Sequence, residues 1–273
     1  MSDQSQNMSP VEEYTKVESV FVRHRNCLMV KADFTPIFTD YYLHLMEQKM
    51  RHKEELDTTL KDLLAMLTLH LVARPWAETI AWTANIRAPR VNFFATGSSI
   101  NENITGCIFT ENVRETDRNL LFSQTIVKNA EGRKSTIEMD TSDPLEWIEK
   151  YYRDSEQRPG KAFKLENDEF VLIAAQPDYD EEWFHSLTTE QVTQILEQEE
   201  TKLLETRRFY FRCGCSEEKL IQSLAGFRNK PDELFGDDDS ITATCPRCGT
   251  NYVFTRDIFD QIEVIDTNDE TTQ

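Results

Sequence analysis

The chain has 273 residues, and its 49 acidic side chains outnumber 30 basic ones for a formal charge of −19. Such a surface suits nucleic acid poorly, because phosphate binding depends on Lys and Arg displacing counterions. No apolar stretch is free enough of charge to span a bilayer, and the first 18 residues are too polar for a secretory leader, so a cytoplasmic protein without membrane contact is expected.

Residues 1–15 read as a disordered tail. From Val17 to Val30, apolar and polar residues mix as in strands. Helical stretches follow near 36–52 and 54–73. In the second, Leu56, Leu60, Leu63, Leu64, Leu67 and Leu71 recur at a period near 3.6 and form one buried stripe. His70 within it reads as a packed histidine rather than a ligand, and Pro75 ends the helix. Ile80, Trp82, Ala84 and Ile86 then face one way along a strand, and Val91, Phe93 and Ala95 belong to the next. Further strands are expected at 105–113, 119–128 and 134–139, with Gly132 turning between the last two. Asp143-Pro144-Leu145-Glu146 opens a helix with a capping side chain, a proline in the first turn and a nearby carboxylate. Trp147, Ile148, Tyr151 and Tyr152 are its apolar face. A short apolar strand at 170–175 completes an α+β, β-rich N-terminal core with packed helices, assigned to 16–177.

Residues 178–205 differ in character. Nine acids and one base give the segment a net charge of −8. Its apolar residues include Trp183, Phe184, Leu187, Val192, Ile195 and Leu196, and Thr188 to Gln191 has the capping-box pattern. The expectation is an acidic helical linker, greasy on one side, which is marginal without a docking surface. A solvated connector helix is the plainer alternative.

Four cysteines follow as Cys213-Gly214-Cys215 and Cys245-Pro246-Arg247-Cys248, two pairs separated by 29 residues. Cys-Pro-x-Cys followed by Gly249 is a metal knuckle, and two thiol pairs supply the four soft ligands that tetrahedral zinc prefers. With sulfur in all four positions no place is left for water or substrate, which argues for a structural or redox site over zinc hydrolysis. Cys27 and Cys107 sit in strand-like surroundings and are expected to be buried and inert. The small C-terminal zinc-binding domain is assigned to 206–265, with a helix capped by Ser216, strands near 241–244 and 251–254, and an acidic tail at 266–273. Few apolar side chains are available there, so a bound metal would carry most of its folding energy.

Phe211-Arg212-Cys213-Gly214-Cys215-Ser216, Cys245-Pro246-Arg247-Cys248-Gly249 with Tyr252 and Phe254, and the run from Leu145 to Pro159 with its Ser155-Glu156-Gln157 turn resemble one known family. It is the heat-shock protein 33, or thirty-three-kilodalton chaperonin, family of redox-regulated holdases. The resemblance implies a chaperone without ATPase activity, inactive while reduced with one zinc per chain held by Cys213, Cys215, Cys245 and Cys248. Oxidants such as hypochlorous acid, or peroxide with heat, would form the disulfides Cys213–Cys215 and Cys245–Cys248. The linker would then lose structure and bind unfolded clients, with Trp183, Phe184, Leu187, Val192, Ile195 and Leu196 as candidate contacts. The resemblance further implies homodimerisation on activation and later transfer of clients to an ATP-dependent foldase system. Two departures stand out: Ile86-Arg87-Ala88-Pro89-Arg90 replaces a Gly-rich turn, and the linker reads short.

The alternative is a zinc-ribbon interaction module of the transcription or translation apparatus, with Arg207, Arg208 and Arg212 as its polyanion footprint. An enzyme finds little support, since no catalytic motif or phosphate-cradling loop is present and the five histidines are scattered.

Overall fold

Alternating side chains build the larger part of the protein around one ten-stranded sheet. The computed structural model describes residues 13–74, 78–127 and 131–257. The chain divides into two compact units, Met1–Arg212 and Cys213–Gln273. In the first, the strands are β1 (Thr15–Val22), β2 (Cys27–Asp33), β3 (Glu78–Ile86), β4 (Val91–Ser98), β5 (Asn103–Phe109), β6 (Asn119–Val127), β7 (Arg133–Met139), β8 (Gly160–Lys164), β9 (Glu169–Ala175) and β10 (Thr201–Phe211). Their spatial order is β7-β6-β3-β4-β5-β10-β1-β2-β9-β8.

Three helices, α1 (Thr35–Glu47), α2 (Glu54–Val72) and α3 (Pro144–Asp154), share the main core with one face of this sheet. From Leu60 to Leu71 the leucine stripe of α2 is fully buried there, against residues such as Trp82, Phe93 and Ile104, with Leu56 partly buried at its start. Asp143 caps α3 by accepting from the Leu145 amide at 2.9 Å, as its sequence pattern requires. His70 is a core residue, stacked on Trp82 with ring centroids 5.5 Å apart. Cys27 and Cys107 are both buried.

Strands β2 and β9 are buried on both faces, which explains the unbroken apolar run at the end of β9. Val30, Phe170, Leu172 and Ala174 turn toward the main core. Cys27, Met29, Val171, Ile173 and Ala175 turn the other way, into a second core closed by α4 (Glu181–Ser186) and α5 (Thr189–Gln198).

Three expectations are corrected. The acidic segment is helical only as far as Gln198; Thr201 to Glu205, assigned to the linker, begin β10. That strand runs antiparallel to β1 and meets β5 in parallel at Tyr210 and Phe211, so it joins the two halves of the sheet. Inward Arg207, Phe209 and Phe211 alternate with outward neighbours, a period of two hidden within a charged stretch. The chain therefore divides at Arg212/Cys213 rather than at 205/206. Finally, Thr15 starts β1 instead of ending a tail. Strand β8, which the sequence reading passed over, pairs with β9. Residues 1–12, Pro75 and the tail at 266–273 lie outside the described residues.

The second unit is built on α6 (Glu217–Ser223), a 3-10 turn, α7 (Pro231–Phe235) and the hairpin of β11 (Ser240–Thr244) with β12 (Asn251–Thr255). Ser216 caps α6 through the Lys219 amide at 3.4 Å. Apart from its cysteines, the buried apolar side chains described in this unit are Ile221, Phe235 and Phe254.

Candidate metal centre

Two tight turns carry the cysteines. The first follows β10, where Gly214 takes a φ of +68° between Cys213 and Cys215. The second connects β11 to β12. There the Cys245 amide donates to the Thr250 carbonyl at 2.8 Å and the Gly249 amide to the Cys245 carbonyl at 2.9 Å. Gly249 sits at φ +78°, a conformation that a Cβ would resist. The backbone at Arg247 and Cys248 favours the ionised Cys245 sulfur, as in a metal knuckle.

These turns bring all four sulfurs within 4.8 Å of one another. Cys213 and Cys245 are 3.7 Å apart, and Cys215 and Cys248 are 3.6 Å apart. A tetrahedron with metal–sulfur bonds of about 2.3 Å has edges of about 3.8 Å, so the cage has the size that a thiolate-bound cation needs. Cys245 and Cys248 are buried, while Cys213 and Cys215 are half-buried. The Cys213 thiol is pushed up by its hydrogen bond with Cys248, then by burial and by neighbouring sulfur charge. Burial raises Cys245 as well. Four thiolates this close repel one another, and a divalent cation at the centre offsets that repulsion.

Two hydroxyls complete the surroundings. Tyr252 Oη lies 3.2 Å from the Cys215 sulfur, and Thr250 Oγ1 lies 3.1 Å from that of Cys248. The contact with Cys215 is the main reason that the Tyr252 phenol is raised. The sequence reading passed over Thr250 and took Tyr252 only as part of a pattern. Alternation on β12 from the knuckle, which sets Tyr252 and Phe254 on one face, was the available signal for Tyr252.

Residues 164–255, which include every one of these groups, match the family model described as Hsp33 protein. The 33 kDa chaperonin of Vibrio vulnificus is 32% identical over 27% of this chain and 26% of its own length. That of Pectobacterium carotovorum is 28% identical over 40% of this chain and 47% of its own. The matched part is thus about a quarter to a half of these relatives. A crystal structure of the 33 kDa chaperonin (heat shock protein 33 homolog) from Thermotoga maritima is similar over 91% of this chain and 97% of that one. Its TM-score is 0.69 at 13% identity, a likeness of fold.

Residues 164–255 are thus similar to the Hsp33 family, and the fold is like that of an Hsp33 homolog.

With this Hsp33 fold in view, the six candidate client contacts fall into two groups. Phe184, Leu187, Val192 and Ile195 are buried against Val20, Val22, Cys27, Met29 and Ile173, with Trp183 half-buried beside them. Leu196 is exposed and lines a groove of about 290 Å³ with Val192, Met29 and Leu165. The basic footprint considered for polyanions does not form one patch. Arg207 is buried, its guanidinium donating to the carbonyls of Leu71 and Arg74 and pairing with Glu205 at 2.7 Å. Arg208 instead stacks over Tyr14 and Arg212 over Tyr210. Among the described residues, no helix is long and apolar enough to cross a membrane.

Proposed function

We propose that this chain is a redox-regulated, ATP-independent holdase whose switch is the cage of Cys213, Cys215, Cys245 and Cys248. The observation that carries the reading is the convergence of four sulfurs on a unit whose other buried apolar side chains, among the described residues, are Ile221, Phe235 and Phe254. Zinc is the proposed cation, one per chain in the reduced state, because tetrahedral thiolate donors suit it; it would hold the four sulfurs ionised and together.

Each pair of thiolates gives two electrons to hypochlorous acid or peroxide and forms one sulfur–sulfur bond. Two disulfides account for four electrons; peroxide is reduced to water or hydroxide, and hypochlorous acid to chloride and hydroxide. The resemblance to the family assigns the pairs as Cys213 with Cys215 and Cys245 with Cys248. Once bridged, the sulfurs no longer act as four anionic ligands, and the unit loses its main source of stability. Release of α4 and α5 would then uncover the apolar side chains of Trp183, Phe184, Leu187, Val192 and Ile195, together with the β1–β2–β9 face beneath them, for unfolded clients. Homodimerisation and delivery to an ATP-dependent foldase system complete the proposed cycle, in a cytoplasmic setting and without enzymatic turnover.

A paired aggregation assay tests the reading. Oxidised protein is expected to suppress aggregation of a heat-unfolded client while reduced protein does not, with zinc release and disulfide mapping followed in the same samples. Equal suppression by both forms would sink the switch.

A further inference from the structure

The turn between β1 and β2 is basic, Arg23-His24-Arg25-Asn26, and both ends of the acidic helical segment come to it. Asp180, which caps α4 by accepting from the Trp183 amide at 3.0 Å, also accepts from Arg25 Nη1 at 2.6 Å. Glu199, at the C-terminal end of α5, receives the other edge of the same guanidinium. Arg25 Nη2 and Nε reach its Oε1 at 3.0 and 3.1 Å, and Nε reaches its Oε2 at 3.2 Å. One planar side chain thus joins carboxylates 19 positions apart in the chain, at the two ends of the helix pair.

Neighbouring groups support the junction. Arg25 lies 5.5 Å from the ring centre of Trp183. The Asp180 amide donates to the Arg25 carbonyl at 3.1 Å, and Asn26 Nδ2 donates to the Asp178 carbonyl at 3.0 Å. Glu200 meets Arg23 at 3.1 Å and His24 at 3.0 Å, but these side chains are at least half exposed and contribute little. The Arg25 cluster is better sheltered, with Glu199 only 16% exposed. Bidentate, charge-assisted bonds in such a place are the strong ones.

We infer that Arg25 is a positioning residue, an ion-pair latch that holds α4 and α5 on the sheet independently of the cysteine cage. The physical need is evident in the helices themselves. At six and ten residues they are too short to persist alone, and their surroundings are crowded with like charge. The inference rests on the proposed function insofar as it names what else restrains the client-binding segment. Under it, loss of the cage loosens the helices fully only when the Arg25 junction also opens. Conversely, breaking the junction releases them while the cage is intact.

Cys27 provides a built-in reporter. Its thiol is buried in the core beneath α4 and α5 and donates to the Arg25 carbonyl at 3.3 Å. Burial pushes it up to about 12, which keeps it unreactive until the helices lift.

The experiment uses the full-length, reduced, zinc-loaded protein and its Arg25→Ala variant. Hydrogen exchange of 181–198 and alkylation of Cys27, located by peptide mapping, are measured alongside metal content and protection of β3–β5. The inference predicts that Arg25→Ala speeds exchange and Cys27 labelling about tenfold, with zinc and β3–β5 protection retained. The charge-swapped pair Arg25→Glu with Glu199→Arg should recover part of that protection relative to Arg25→Glu alone. Unchanged exchange and labelling in Arg25→Ala would overturn the latch, as would absence of any recovery in the swapped pair. Should the single variant lose the β3–β5 protection, Arg25→Lys, which keeps the charge but not the bidentate fork, decides by the same two readouts. None of these depends on chaperone activity. A loosened variant that fails to bind client counts against the holdase reading and leaves the latch standing.

Discussion

The two compact units reach order by opposite means. In the first, a ten-stranded sheet is packed by α1, α2 and α3 on one side and, across β1, β2 and β9, by α4 and α5 on the other; Leu63, Leu64, Trp82, Phe93 and Ile148 are almost wholly withdrawn from water. In the second, the described residues 213–257 pack around Ile221, Phe235 and Phe254, little apolar burial to set against the entropy of ordering them. Where the described core is this small, four converging sulfurs supplement it. On the proposed reading the difference confines chemical sensitivity: an oxidant that acts on thiolates would remove most of the stabilisation of one unit and very little of the other.

The sharpest way to break this comparison is metal removal. Structural zinc supplies about 10–16 kcal/mol of apparent binding energy, as much as the whole stability of a typical domain. Chelation is therefore expected to abolish protection of amides in β11, β12 and α6 while β3, β4 and β9 keep theirs. Exchange that stays slow throughout the second unit after chelation would show that its small core suffices.

A smaller effect separates the first unit by pH. His70 is fully enclosed, its Nδ1 bonded to the Tyr152 hydroxyl at 3.1 Å; among the described residues its Nε2 has no hydrogen-bond partner. Burial first, then Arg74, Arg158 and Arg133, hold it well below its ordinary value of 6.5. Below that pH the unfolded chain binds a proton that the folded protein refuses. Stability of this unit should therefore fall with acidification, by up to about 1.4 kcal/mol per pH unit. Denaturant unfolding followed by Trp82 and Trp147 fluorescence between roughly pH 6.5 and 5 measures the slope. His70→Gln should flatten it, and an identical slope in the variant would remove His70 from the explanation.

The smallest expected effect refines the second unit. Tyr252→Phe deletes the hydroxyl beside the Cys215 sulfur and should weaken metal affinity by about tenfold, as loss of a group behind a ligand commonly does. Competition with a chromophoric chelator reads this directly, and unaltered affinity would reduce Tyr252 to a packing residue.

Much of the molecule could be read from local pattern. The leucine stripe of α2, the Asp143-Pro144 start of α3, the Thr188–Gln191 capping box and the Cys-Pro-x-Cys-Gly knuckle involve neighbours in sequence, and each lies where its chemistry requires. Strand β10 was missed because Thr201 to Glu205 continue the acidic composition of the preceding helices. Its period-two burial becomes clear only at Arg207, Phe209 and Phe211, and an arginine is an unusual inward residue. Arg207 is tolerated there because carbonyls and a carboxylate receive its donors.

What the residues alone determined, then, was many of the elements, though not β8, β10 or α7, together with the four candidate sulfur ligands and the acidic, amphipathic character of 178–198. Tertiary structure alone decided that β10 would join the halves of the sheet and that the greasy side of α4 and α5 would lie over β1, β2 and β9. It likewise decided that Arg25 would meet both Asp180 and Glu199. The physical reason is separation along the chain. Caps and knuckles are closed by residues within a few positions, whereas Arg25 and Glu199 are 174 apart, and only the folded sheet brings such partners together.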